Sequence, residues 1–125
     1  MHVTGSVDDI RPYVQSAGIY ICPLRYGSGV KNKILAAMAM GKPVVATPVS
    51  LEGIEVRGDH DVLIADSPGE FAAKVSKLLA DEVLAKKLGE NGCRLVRDKY
   101  SWKAKAQLLE NVLQDLIRLR RRPRP

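Results

Sequence analysis

The feature that most constrains the fold is a glycine-rich turn at residues 25–33, which joins an apolar strand-like run, 19–24, to an apolar helical run, 34–40. Such a turn exposes backbone N–H groups at the positive end of the helix dipole, and these groups bind anions, phosphate above all. Lys31 and Lys33 are unfavourable beside that dipole, so they favour a negatively charged ligand there. A tight turn with two solvated lysines is the alternative interpretation.

Strand and helix signals alternate along the chain. Residues 2–5 are a candidate strand, and the apolar runs 43–47 and 61–65 predict two more after the glycine-rich turn. Ser67 and Glu70 predict a capping box at a helix start. The alternation predicts an α/β fold with Rossmann-like βαβ layers and a short parallel sheet.

Two helices are predicted beyond residue 80. Asp81 caps the first, in which Gly89 and Gly92 are weak points where the helix could bend or break. Ser101 caps the last helix. Its apolar residues have helical spacing and predict a core or interface surface: Leu108, Leu109, Val112, Leu113 and Leu116.

Composition and charge exclude several classes of protein. The chain has 125 residues, 46% of them hydrophobic, which fits one domain with a modest core. Cys22 and Cys93 have no partners at metal-ligand spacing and predict reduced thiols in a cytosolic protein. No apolar run reaches the ~18 residues that a membrane-spanning helix needs.

The net charge of +6 is concentrated at the carboxyl terminus. Five arginines lie in residues 118–125, which leaves +1 for residues 1–117. We therefore expect a folded domain over residues 1–117 and a basic, disordered tail over residues 118–125. The tail predicts at most weak contact with an anionic membrane surface. No interleaved aromatic residues or recognition motif support specific nucleic-acid binding.

Two loops are expected to meet at one edge of the sheet. Residues 25–33 and 47–55 each follow a predicted strand, and ligands of open parallel sheets bind at the carboxyl ends of the strands. The sequence therefore predicts one binding site built from both loops.

Residues 23–47 resemble the donor-binding core in the C-terminal domain of GT-B fold glycosyltransferases (glycosyl transferases group 1), of the retaining family 4 type. They are most similar to a branch with the turn Gly-Ser-Gly-Val-Lys-Asn-Lys, found here at residues 27–33. The resemblance covers about residues 3–110. The flanking motifs that agree are Val3-Thr4-Gly5, Val7-Asp8-Asp9, Glu52-Gly53-Ile54, Val62-Leu63-Ile64-Ala65-Asp66 and Tyr100-Ser101-Trp102.

The resemblance implies that a nucleotide-diphosphate sugar is the substrate and that the sugar is transferred with retention of configuration, without a metal or other cofactor. The amides of Ser28, Gly29 and Val30 would face the diphosphate or the donor sugar, and Lys31 or Lys33 would offset the charge of the leaving phosphate. No catalytic residue is assigned. The implied donor-binding residues are Arg25, Gly27, Ser28, Gly29, Val30, Lys31, Lys33, Ala36, Thr47 and Glu52.

One departure from the family pattern concerns two glutamates, eight positions apart, that family 4 enzymes usually carry. Ser28 and Ala36 stand at those positions. The second glutamate would grip the ribose hydroxyls, so Ala36 is expected to weaken nucleotide binding by about 1.5–3 kcal/mol. Glu52 and Glu55 are candidate substitutes, and a solvated loop is the alternative interpretation of both.

The other departure is length. The resemblance implies a C-terminal half-domain whose first two βα units are missing, so we expect a core of three parallel strands with an exposed edge at residues 19–24. Such an edge invites pairing with another chain, and we expect a homodimer. A separate acceptor domain or chain is also implied. We expect a cytoplasmic protein, peripheral at the inner membrane face at most.

Three functions fit these observations: a donor-binding glycosyltransferase domain that is inactive alone, a catalytically dead interaction or assembly module with the same fold, and a general phosphate- or nucleotide-binding regulatory domain. Only the glycine-rich turn supports the third.

Overall fold

A computed structural model describes residues 1–120 and contains a three-stranded parallel sheet. The strands are β1 (Tyr20–Cys22), β2 (Val44–Ala46) and β3 (Leu63–Ile64), in the order β1-β2-β3. In register, Tyr20 lies beside Val44 and Val45 lies beside Leu63. The predicted α/β fold with its three-stranded parallel core is confirmed, although each strand is shorter than the apolar run that predicted it.

The candidate strand at residues 2–5 is wrong. This segment has no regular structure, and Val3 is exposed. A strand needs a neighbour with which to exchange backbone hydrogen bonds, and among residues 1–120 the sheet order places a neighbour on only one side of β1. The outer edge of β1 is therefore open in this chain.

The described residues form five α-helices. They are α1 (Arg11–Ser16), α2 (Asn32–Ala39), α3 (Pro68–Ala80), α4 (Glu82–Leu95) and α5 (Trp102–Arg120), with a short 3-10 turn at Pro48–Leu51 and a π-helical turn at Val96–Tyr100.

The predicted helix caps are present. The Glu70 amide donates to Ser67 Oγ at 3.2 Å, and the Ser67 amide donates to Glu70 Oε2 at 3.3 Å, which is the predicted capping box at the start of α3. Asp81 Oδ1 accepts from the Leu84 amide at 2.9 Å at the start of α4. These contacts satisfy amides that have no partner inside the helix.

The core consists of two clusters, because successive residues of β2 alternate between the two faces of the sheet. Val44 and Ala46 pack with Ile34 and Met38 of α2. Val45, between them, packs with a second cluster that includes Leu63, Ala65, Leu78 and Leu88. The sheet is thus covered by α2 on one face and by α3 and α4 around the other cluster.

Helix α4 runs without a break through the two glycines that were predicted to be weak points. A Cβ on Gly89 would lie 2.1 Å from the Gly41 carbonyl oxygen, and a Cβ on Gly92 would lie 3.2 Å from the Asp61 carbonyl oxygen. The helix therefore does not break at either glycine, and both glycines let α4 approach the chain segments that precede β2 and β3.

The apolar row of α5 is exposed, with 48% to 60% of each side chain accessible. This row, predicted as core or interface, is therefore not part of the core formed by residues 1–120. Helix α5 includes Arg118 and Arg120 of the predicted basic tail, and residues 121–125 of that tail lie outside the described residues. Among residues 1–120, no helix has the combination of length and apolar character required to cross a membrane.

Candidate functional site

The two loops predicted to form one site are in contact. A Cβ on Gly53 would lie 2.7 Å from Cγ2 of Val30, so the glycine-rich turn after β1 and the loop after β2 pack directly on one another. Gly53 has φ +77°, a left-handed conformation that glycine adopts without steric cost. The absence of a side chain at Gly53 therefore permits both the backbone conformation and the contact.

The glycine-rich turn requires glycine at two of its positions. Gly27 has φ +141° and Gly29 has φ +75°, and other L-residues rarely adopt either angle. Ser28 and Val30 are exposed between and after these glycines. The turn thus presents backbone to solvent directly before α2, as the sequence predicts.

The two lysines of the turn differ in their contacts. Lys31 Nζ donates to the carbonyl oxygens of Ser28 at 2.8 Å and of Gly29 at 2.7 Å. Lys33, in the first turn of α2, is exposed, and its ammonium group makes no hydrogen bond or ion pair with any other residue of the described range 1–120. The prediction treated the two lysines as interchangeable, whereas the structure gives only Lys33 an uncommitted ammonium group.

Thr47 is buried, unlike the other predicted site residues, and its hydroxyl contacts protein groups. Thr47 Oγ1 donates to the Leu24 carbonyl oxygen at 2.5 Å and lies 2.8 Å from Ser50 Oγ. Ser50 Oγ donates to the Cys22 carbonyl oxygen at 2.8 Å and accepts from the Leu24 amide at 3.3 Å. The hydroxyl pair therefore fixes the end of β1 at the point where the glycine-rich turn begins.

The role of Ser50 was not predicted from the sequence, because its partners lie 26 and 28 positions away. A small polar residue three positions after a strand-ending threonine was the only local signal.

The remaining carboxylate and alanine positions lie on the surface. Ala36 is exposed on α2, and Glu52 is exposed beside Gly53. Glu55 is engaged elsewhere, because its Oε2 accepts from Lys99 Nζ at 2.6 Å and its amide donates to the Tyr100 hydroxyl at 2.7 Å. The hydrogen bond from Lys99 lowers the pKa of the Glu55 carboxyl. Of the two candidate substitutes for the absent glutamate, Glu52 is thus the one whose carboxylate has no ion-pair partner within residues 1–120.

A cavity of about 500 Å³ opens at the carboxyl ends of the strands, on the side of α3. Arg25 and Thr47, two of the predicted site residues, line it together with residues that the sequence analysis did not select. These additional lining residues are Pro23, Asp66, Ser67, Pro68, Phe71, Ala72, Val75 and Ser76. The signal that could have identified them is position, because Asp66 and Ser67 follow the last strand directly.

The structure therefore divides the predicted residues among three places. Arg25 and Thr47 line the cavity, Val30 of the segment 27–31 contacts the loop that holds Glu52 and Gly53, and Lys33 and Ala36 lie on α2. Within residues 1–120, no three side chains of the His, Cys, Asp or Glu type lie together as a metal site would require. The exposed backbone of the glycine-rich turn thus lies next to a cavity whose lining is mostly apolar.

Comparison with known proteins gives the same family as the sequence motifs. The family described as glycosyl transferases group 1 matches residues 1–81. An uncharacterised glycosyltransferase of Methanocaldococcus jannaschii is 28% identical over 94% of this chain and 31% of its own length. A lipopolysaccharide core biosynthesis mannosyltransferase of Rhizobium leguminosarum is 30% identical over 90% of this chain and 32% of its own length.

A solved structure shows the same fold. The C-terminal domain of a glycosyl transferase group 1 family protein from Francisella tularensis superimposes with a TM-score of 0.71 at 23% identity, over 82% of this chain and 53% of that chain. This chain spans about a third of the length of the two relatives above. By motif, family match and fold, the chain belongs to the glycosyl transferases group 1 family, with the fold of a GT-B C-terminal domain.

Proposed function

We propose that the carboxyl edge of the sheet binds a nucleotide-diphosphate sugar as the donor for transfer to an acceptor. The observation that carries this proposal is the contact between Val30 and Gly53, because it joins the glycine-rich turn and the second loop into one surface at the start of α2. Backbone amides at a helix start, together with a lysine ammonium, suit a diphosphate.

The residues have distinct roles in this proposal. The amides of Gly29 and Val30 and the ammonium of Lys33 bind the diphosphate. Arg25 lines the adjoining cavity, and its guanidinium is proposed to bind a phosphate oxygen as well. Thr47 acts indirectly, since its hydroxyl holds Leu24 and so the start of the turn. No metal or other cofactor is needed for this binding.

We propose that the chain binds the donor but does not catalyse transfer alone. The chain spans about a third of the length of these relatives. An acceptor domain or partner chain would supply the rest of the site. The function is therefore tested by binding rather than by turnover.

Thermal unfolding in the presence of UDP, GDP, ADP and their sugar conjugates tests donor binding. A ligand at 100 times its Kd stabilises the folded state by about 2.7 kcal/mol, and we expect one nucleotide series to raise Tm in a concentration-dependent way. No shift with any nucleotide at millimolar concentration would contradict the proposal.

Ala36→Glu tests the position at which a ribose-binding carboxylate is expected. Ala36 and Ala39 are both exposed on α2, so Ala39→Glu is a matched control with the same added charge on the same helix. We expect Ala36→Glu to tighten nucleotide binding by about 1.5–3 kcal/mol, the range for a hydrogen bond to a charged group. Equal effects of the two variants would show that Ala36 does not face the nucleotide.

An interaction or assembly module is the second candidate function. It is favoured by the open edge of β1, where Ile21 is 52% exposed although it lies in a strand. Edges of this kind pair with other strands, and we propose a homodimer through β1. Sedimentation velocity at tens of micromolar should show a dimer that Ile21→Lys dissociates. A monomeric wild-type chain would contradict this proposal and leave donor binding untouched.

We also propose a cytoplasmic protein with weak contact to anionic membrane surfaces. Arg118 and Arg120 are exposed at the end of α5, and a basic residue near an anionic surface contributes about 1 kcal/mol. Cosedimentation with phosphatidylserine vesicles at low salt, compared with phosphatidylcholine vesicles, tests this contact. Equal sedimentation with both kinds of vesicle would contradict it.

A further inference from the structure

We propose that Lys31 is a positioning residue of the donor site: its ammonium binds the carbonyl oxygens of the turn and thereby directs the amides of Gly29 and Val30 outward as a pair. The role of this pair in binding rests on the proposed donor function. The geometry of the turn does not depend on it, and the two can be tested separately.

The geometry follows from the planarity of the peptide unit. Lys31 Nζ lies 2.8 Å from the Ser28 carbonyl oxygen and 2.7 Å from the Gly29 carbonyl oxygen. In a trans peptide, the carbonyl of one residue points opposite to the N–H of the next, and the described residues contain no cis peptide. The N–H groups of Gly29 and Val30 therefore both point away from the ammonium of Lys31.

Gly29 makes this arrangement possible. It lies between the two peptide units whose carbonyls Lys31 binds, and its φ is +75°. An extended residue there would direct the two carbonyls to opposite sides, as along a strand. A left-handed residue places them on the same side, and the adjacent amides then form a concave pair of donors suited to an anion.

The amide pair is available for a ligand. Among the hydrogen bonds of residues 1–120, none has the Gly29 or Val30 amide as its donor. Both residues are exposed. The two amides are thus already oriented before a ligand arrives, which lowers the ordering cost of binding.

This arrangement separates the functions of the two lysines. An ammonium group has three N–H donors, and two of those of Lys31 are committed to carbonyls. Lys33 has all three available with respect to residues 1–120. Lys31 therefore shapes the turn, and Lys33 supplies the charge that contacts the phosphate.

Amide proton–nitrogen NMR spectra of the ligand-free chain test the positioning role directly. Lys31→Met should shift the Gly29 and Val30 amide resonances, because the two carbonyls lose their common partner. Lys33→Met, the matched control, should leave both resonances in place. Unchanged Gly29 and Val30 resonances in Lys31→Met would overturn the proposal, whatever the chain binds. Retention of the remaining spectrum verifies that each variant is folded.

Titration with UDP, GDP, ADP and inorganic pyrophosphate, at low and high salt, tests the consequence for binding. Lys31→Met should weaken binding about tenfold, the equivalent of 1.4 kcal/mol, and keep the salt dependence of the wild type. Lys33→Met should weaken binding and flatten the salt dependence, since it removes the charge itself. Lys31→Arg, which retains donors for both carbonyls, should restore much of the affinity.

Two results separate the proposals. Equal flattening of the salt dependence in Lys31→Met and Lys33→Met would show that Lys31 leaves the carbonyls to contact the phosphate, and would overturn the positioning role. If the wild type binds none of the probes, the proposed donor function fails, while the ligand-free spectra still decide whether Lys31 orders the turn.

Discussion

Val30 occupies the space in which a side chain on Gly53 would begin: a Cβ built on Gly53 lies 2.7 Å from Val30 Cγ2. This contact links a loop after β1 to a loop after β2, on elements that are neighbours in the sheet. The packing of the two loops at the carboxyl edge of the sheet therefore depends on the absence of a side chain at Gly53.

Gly53→Ala should destabilise the fold and weaken nucleotide binding together. Its φ of +77° is unfavourable for alanine, and the new methyl group would displace Val30. Strain of this kind costs of order 1–3 kcal/mol. Urea unfolding measures the stability, and nucleotide titration measures the binding.

The double variant Val30→Ala/Gly53→Ala separates the two causes. Removing the Val30 γ-methyl groups makes room for the methyl group added at position 53 but leaves the backbone strain, so the double variant should lose less stability than the sum of the two single losses. Gly69→Ala is the control for adding a methyl group, because nothing lies within 4 Å of its Cβ position. Additive losses would contradict the proposed contact between the loops.

Local signals predicted most of the fold. Ser67 and Glu70 are close in sequence, so the start of the helix itself brings the two side chains of the capping box together. Gly41 directly follows the apolar helical run 34–40 and adopts φ +71°, so the end of α2 is likewise set by local sequence. Strands β1, β2 and β3 formed within the apolar runs that predicted them.

Features that depend on distant partners were not predictable from the sequence. Gly89 is a weak helix former by propensity, and only the position of Gly41, 48 residues earlier, shows that its small size is required. Thr47 stays a predicted donor-binding residue, but the contacts of its hydroxyl with Leu24 and Ser50 could not be predicted from the sequence. The spacing of apolar residues in α5 indicated the helix, but it could not show that the apolar row lies outside the core of residues 1–120.

Gly89→Ala should be among the most destabilising single-methyl substitutions in this chain. The new Cβ would meet the Gly41 carbonyl oxygen at 2.1 Å, and a backbone atom cannot turn aside as a side chain can. We expect a loss of at least about 3 kcal/mol, at the upper end for overpacked sites. Thermal and urea unfolding measure it.

Gly92→Ala and Gly69→Ala, measured by the same unfolding experiments, are the comparison variants for Gly89→Ala. The Cβ of residue 92 would lie 3.2 Å from the flexible Met38 Cε and 3.2 Å from the Asp61 carbonyl oxygen, so its loss should be smaller. Gly69→Ala should be neutral or stabilising, because alanine has the higher helix propensity. An unaltered stability of Gly89→Ala would mean that α4 does not pack this closely on residues 41–43.

Ser50→Ala should cost about 1–3 kcal/mol, the penalty for leaving a buried polar group without its partner. The Cys22 carbonyl oxygen and the Leu24 amide both lose Ser50 Oγ. Ser76→Ala, at an exposed site on α3, should change stability by less than about 0.5 kcal/mol. If Ser50→Ala unfolds no more readily than Ser76→Ala, the hydroxyl pair does not hold the end of β1.

Asp61 should make the stability of the chain sensitive to acid. Its side chain is 1% exposed. Burial acts to raise the pKa of the carboxyl, but three hydrogen bonds outweigh burial and lower it: from His60 Nδ1 at 2.6 Å, from the Arg57 guanidinium at 3.3 Å and from the Arg57 amide at 2.9 Å. Because the folded pKa lies below the unfolded one, the unfolded chain binds more protons in the acid range. The contribution of Asp61 is therefore present above the usual aspartate pKa and is lost as the pH falls through the folded value.

Asp61→Asn isolates this contribution when unfolding is followed in urea from about pH 7 to about pH 3. At neutral pH the variant should be less stable than the wild type by about 1–3 kcal/mol, because the carboxylate loses charge-assisted bonds at a buried site. The difference should narrow as the pH falls, since the wild-type carboxyl then protonates. Asp9→Asn is the control: Asp9 pairs with Arg11 at 2.9 Å on the surface, where such pairs contribute little. A difference between wild type and Asp61→Asn that stays constant across this pH range would show that the ionised carboxylate does not stabilise the turn before β3.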